Sequence, residues 1–123
     1  MARILVVDDD ADMRFIVREI LKSAGHDVTV AVNGREGTVA YFEQRPDLVI
    51  TDLFMPEKDG LTVIRELRAA TPEVKIIAIS GGGPAGEPGS LDNARTLGAV
   101  GALAKPFRIS ELLSAVEAAL GTG

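Results

Sequence analysis

The chain has 123 residues, 46% hydrophobic and 25% charged, with a net charge of −5, which is the size and balance of one globular domain built on a single core. It contains no cysteine, which excludes disulfides and thiolate metal centres and suits a reducing, cytoplasmic setting. The acidic balance argues against direct nucleic-acid binding, no apolar stretch approaches a membrane span, and "MARILVVDDD" lacks the long apolar region of a secretory leader.

In chain order, "RILVV" (3–7) predicts a strand buried on both faces, and it runs directly into Asp8, Asp9 and Asp10. Residues 11–25 predict a helix, with Met13, Ile16, Val17, Ile20, Leu21 and Ala24 on one face and Gly25 placed to end it. "DVTVA" (27–31) alternates, as an edge strand does. Residues 34–44 predict a poorer helix, because Gly37 inside it costs about 1 kcal/mol relative to Ala. "DLVIT" (47–51) is again a buried strand. Residues 60–70 predict a helix with Leu61, Ile64 and Leu67 inward, stopping at Thr71-Pro72. "KIIAIS" (75–80) reads as a fourth strand, followed by the glycine-rich "GGGPAGEPG" (81–89). Ser90 can cap a helix running to Gly98, and "GALA" (101–104) is the weakest strand. Ser110 can cap a last helix with Leu113, Val116 and Leu120 inward.

Strand and helix alternate five times, which predicts an α/β fold: a doubly wound five-stranded parallel sheet with helices on both faces. Right-handed crossovers favour the flavodoxin-like order 2-1-3-4-5 and a functional site beyond the carboxyl ends of the strands. At those ends the sequence places Asp8-Asp9, Thr51-Asp52, Ser80 and Lys105-Pro106. One like-charge pair at about 4 Å costs roughly 4 kcal/mol at an effective dielectric near 20, so clustered acids need a counter-charge. Carboxylates with a carbonyl oxygen form a hard-oxygen site suited to Mg²⁺, which fills the rest of its shell with water and phosphate oxygens. A Lys and a Ser opposite the metal complete a cradle for a phosphoryl group.

"VVDDD", "ITDLFMPEKDG", "IIAISG" and "LAKPF", in that order and spacing, resemble the receiver domain of two-component response regulators. The resemblance covers essentially residues 1–123, which implies a stand-alone, single receiver domain. It implies Asp52 as the phosphoacceptor, taking the group from a sensor histidine kinase or histidine phosphotransferase. By the same resemblance, Asp9, Asp52 and the Phe54 carbonyl would hold Mg²⁺ directly and Asp8 mainly through water. Lys105 and Ser80 would hold the phosphoryl oxygens, Met55-Pro56 would shape the loop after the acceptor, and Lys105-Pro106 would be cis. Output would pass to an unspecified downstream protein, with no turnover of a free substrate; a weak homodimer through the last helices stays open.

The remaining features have plainer readings. Asp10 reads as an N-cap, Asp59-Gly60 as turn chemistry, His26 as a loop residue, and Tyr41 and Phe42 as packing. The glycine-rich stretch lacks the GxxxxGK[ST] pattern and reads as a lengthened loop. Three positions depart from the usual receiver pattern or qualify it. Ala102 stands where most receivers carry an aromatic switch residue, so ordering of residues 81–89 by Ser80 is the expected substitute. Phe54 and Gly82 offer no acid or amide to position a water, which implies slow to moderate dephosphorylation. Three alternatives are a pseudo-receiver kept for protein binding, a flavodoxin-like module taking a flavin or nucleotide, and a metal-dependent phosphohydrolase. The last would need a second acid in a DxD arrangement that the sequence lacks.

Overall fold

The computed structural model describes residues 2–53, 55, 58–80, 94, 96 and 98–121. They form β1 (Arg3–Val7), α1 (Ala11–Ser23), β2 (Asp27–Ala31), α2 (Gly34–Gln44), β3 (Leu48–Asp52), α3 (Gly60–Ala70), β4 (Ile76–Ser80), β5 (Gly101–Ala104) and α4 (Ile109–Leu120). All strand pairs are parallel and the order is β2-β1-β3-β4-β5, as the alternation requires. Among the described residues, no helix is long and apolar enough to cross a membrane.

The sheet carries a core on each face. Leu5, Val7, Val49, Ile76 and Ala78 pack under α2 and α3 through Tyr41, Val63, Ile64 and Leu67. Ile4, Val6, Leu48, Ile50, Ile77 and Ile79 pack under α1 and α4 through Val17, Leu21, Leu112 and Val116. Successive residues of the central strands therefore face opposite cores, which is why β1, β3 and β4 read as unbroken apolar runs. The edge strand β2 is only half-buried, as its alternation predicts.

Several local details differ from the sequence reading. α1 runs to Ser23 with Ala24 as its C-cap, and Gly25 at φ +94° ends it as the sequence predicts, but Ala24 is exposed rather than on the inward face. Ile16 is 48% exposed because the buried stripe of α1 centres on Val17 and Leu21, leaving Ile16 on its flank. α4 starts at Ile109, ahead of Ser110, because Glu111 Oε1 accepts the Arg108 N–H at 2.7 Å and closes the first turn there. Phe42 is 39% exposed while Tyr41 is buried, the two rings meeting edge-on at 5.3 Å. His26 is more than a loop residue, since its Nδ1 accepts the Ala2 N–H at 3.1 Å at the start of β1. The predicted helix at 90–98 and the glycine-rich stretch 81–89 fall largely outside the described residues, apart from helical backbone at Ala94 and Thr96.

Gly37 carries a packing reason that its helix penalty hides. A Cβ there would lie 2.7 Å from Val7 Cγ2, so only glycine lets α2 approach β1 this closely.

Candidate phosphoryl and metal site

Asp8 follows the last residue of β1, and its N–H still bonds Ala31 O at 3.2 Å, so it remains held by the ladder. Its Oδ1 accepts the Asp10 N–H at 2.9 Å, and Arg14 Nη1 donates to its carbonyl at 2.8 Å. Asp10 caps α1 by accepting from Asp12 and Met13 N–H groups, as the sequence predicts. Asp52 ends β3, one strand over, where Val7 pairs Thr51 and Asp52 pairs Ile79. Ser80 ends β4, and Lys105 follows β5 with its N–H donating to Ser80 O at 2.7 Å. The Lys105-Pro106 peptide is cis.

These ends converge. Carboxylate oxygens of Asp8, Asp9 and Asp52 all lie within 4.8 Å of one another. Lys105 Nζ stands 3.4 Å from Asp52 Oδ2 and 3.6 Å from Asp8 Oδ2. Asp8, Asp52 and Ser80 are buried, while Asp9 is exposed. Burial pushes the Asp8 carboxyl up to about 6, helped by the charge of Asp52 and a side-chain hydrogen bond with it. The Asp10 N–H and the Lys105 ammonium pull the other way and only partly offset this. The site thus holds more negative charge than its one ammonium satisfies.

That electrostatic deficit is the observation against which a metal can be tested. Among the described residues, three carboxylates paired with a single ammonium leave a formal charge of −2 when all are ionised, the Arg14 guanidinium being engaged on the Asp8 carbonyl, and a divalent hard cation would neutralise it. The donor set fits Mg²⁺: few protein carboxylates, with room on the exposed Asp9 side for water and phosphate oxygens.

Three contributors escaped sequence reasoning. Thr51 is fully buried and its Oγ1 donates to Asp52 O at 3.0 Å. Arg14 tethers the Asp8 backbone from α1. Asp59 caps α3, accepting from Thr62 N–H at 2.8 Å, but Gly60 does more than turn the chain. A Cβ on Gly60 would collide with the Asp52 carbonyl and lie 2.7 Å from Leu53 Cα, so glycine there seats α3 on the backbone of Asp52. The DG pair was the only signal, and it reads equally as an ordinary turn. Met55 is buried; Phe54, Pro56, Gly81 and Gly82 lie outside the described residues. Ala102 is half-buried on β5 opposite Ala78.

A five-stranded 2-1-3-4-5 sheet with acids, a hydroxyl and a lysine at its carboxyl edge defines a doubly wound α/β protein with its site at the topological switch point. Comparison with known proteins agrees and is more specific. Residues 4–117 match the response regulator receiver domain, and the chain belongs to that family. It is 37% identical over 115 residues to the chemotaxis protein CheY of Thermotoga maritima, covering 93% of each. It is 30% identical over 115 residues to sporulation initiation phosphotransferase F of Bacillus subtilis, covering 94% of this chain and 90% of that protein. A solved receiver domain from Clostridium thermocellum superposes with a TM-score of 0.87 at 32% identity, covering 98% of this chain and 94% of that one. The chain is a receiver domain of the two-component type, a phosphorylation-dependent signalling switch.

Proposed function

We propose that Asp52 is the phosphoacceptor and that Mg²⁺, held by Asp9, Asp52 and the Phe54 carbonyl with Asp8 behind them, is required for transfer. The supporting observation is the junction of Asp8, Asp9 and Asp52 oxygens within 4.8 Å with Lys105 Nζ at 3.4 Å from Asp52. The donor is a phosphohistidine on a kinase or phosphotransferase. An Asp52 Oδ attacks phosphorus, the P–N bond breaks, and imidazole departs neutral with the bonding pair, its other ring nitrogen carrying a proton. Bound Mg²⁺ would supply Lewis-acid neutralisation of the transferred oxygens. Lys105 holds its ammonium where those oxygens arrive, and the Ser80 hydroxyl at the end of β4 donates to one of them. Asp8 keeps the cluster anionic enough to hold a cation and accepts the Asp10 N–H that starts α1. The domain would act in the cytoplasm as a single unit over residues 1–123, turning over no free substrate and passing its state to a protein target.

Intact mass after incubation with Mg²⁺ and acetyl phosphate tests this. One phosphoryl increment on the wild type and none on Asp52→Asn is expected. No increment on the wild type, or an equal increment on the variant, overturns the assignment.

A further inference from the structure

Among the described residues, β2 lies at the edge of the sheet and pairs with β1 alone. The Asp27 N–H donates to Ala2 O at 2.9 Å and the Asp8 N–H to Ala31 O at 3.2 Å, so Asp27, Thr29 and Ala31 turn their backbone groups toward β1. Alternation along the strand then turns the N–H and C=O groups of Val28 and Val30 outward. No proline, lysine or bulge blunts this edge. Two outward residues flanking one inward residue are self-complementary. An antiparallel copy centred on Thr29 would pair Val28 with Val30 of its partner twice over, making four backbone hydrogen bonds.

α2 carries the same symmetry. Arg35, Val39 and Glu43 are spaced i, i+4, i+8, all are exposed, and Val39 is 54% exposed. They line one groove of about 350 Å³ together with Thr29 and Ala31 of β2. A two-fold axis beside Thr29 that also passes Val39, which shares this groove with it, would set Arg35 against Glu43 of the second copy, Val39 against Val39, and Glu43 against Arg35. The spacing is also suitable. α2 rests on β1 through Gly37 and on β2 through the Thr29 Oγ1–Gln44 Oε1 contact at 2.8 Å, so its axis lies between those strands. With strands about 4.8 Å apart, that axis stands about 5 Å from the dyad, and the two helices about 10 Å apart, at the packing distance of paired helices.

We propose that the β2–α2 edge is a homodimer face, the second copy extending the sheet through antiparallel β2 and seating α2 on α2 around Val39. The sheet becomes ten-stranded, and because the partners are antiparallel, their acid clusters point in opposite directions and both stay open to a donor. The proposal is independent of the phosphoryl chemistry.

Sedimentation equilibrium of the full chain across a range of concentrations tests it. The wild type should move toward twice the monomer mass. Arg35→Glu should weaken association roughly tenfold to a hundredfold by turning two attractions into repulsions, and Arg35→Glu with Glu43→Arg should restore it. Val39→Lys should give monomer by placing like charges on the dyad, with circular dichroism showing that each variant is folded. A wild type that stays monomeric throughout overturns the proposal. So does a dimer that survives both Arg35→Glu and Val39→Lys, which would assign association to another face, such as the apolar groove between α1 and α4 beside Ile20 and Leu113.

Discussion

In the metal-free protein, replacing Asp8 by Asn should reshape the dependence of stability on pH. The Asp8 carboxyl rises from 3.8 to about 6 on folding, because it is buried beside Asp52. Between those values the folded chain holds a proton that the unfolded chain has released. Stability therefore falls as pH rises through this window, at about 1.4 kcal/mol per pH unit. The full loss approaches about 3 kcal/mol above pH 6 and vanishes below the unfolded value, where both states are protonated. Asp8→Asn removes the titration while its Oδ1 can still accept the Asp10 N–H. Urea unfolding in EDTA at intervals from pH 4 to 8 should show the stability difference, variant minus wild type, growing by about 2–3 kcal/mol toward pH 7. Excess Mg²⁺ should flatten the wild-type curve between about pH 4 and 6, because a bound cation favours the ionised acid and draws its folded value back toward the unfolded one. A difference that is constant with pH, or one that shrinks as pH rises, would refute the reasoning.

Two further outcomes follow from the site. Gly60→Ala should cost about 3 kcal/mol in chemical denaturation, because its Cβ has only the Asp52 and Leu53 backbone to move against; a loss under 1 kcal/mol would mean α3 shifts freely. Lys105→Met should separate two functions, raising Mg²⁺ affinity measured by calorimetry while lowering the acetyl phosphate labelling rate at least tenfold. Unchanged labelling would remove Lys105 from the transfer step.

Much of this site was legible because strand ends are fixed by composition. Val7, Asp52 and Ser80 close apolar runs, and parallel register sets them side by side. The sequence did not reveal which acid is buried. Asp8 and Asp9 are adjacent and chemically identical, yet the ladder bond to Ala31 keeps Asp8 inside while Asp9 turns out. Nor does periodicity reveal close approach. Gly37 and Gly60 read as a flaw and a turn, whereas each is the contact point of a helix on β1 or on the end of β3. One helix start, that of α4, was misplaced for a related reason, since a backbone–side-chain bond from Arg108 to Glu111 needs no capping residue type.

The backbone bond from Lys105 N–H to Ser80 O joins the two groups that would meet a phosphoryl oxygen. They sit 25 residues apart in the chain yet form one mechanical piece across the β4–β5 seam. Displacing either toward a ligand drags the other's main chain along. A substitution that repositions Ser80 is therefore felt at the ammonium without touching it, and the pair tolerates change as a couple rather than residue by residue.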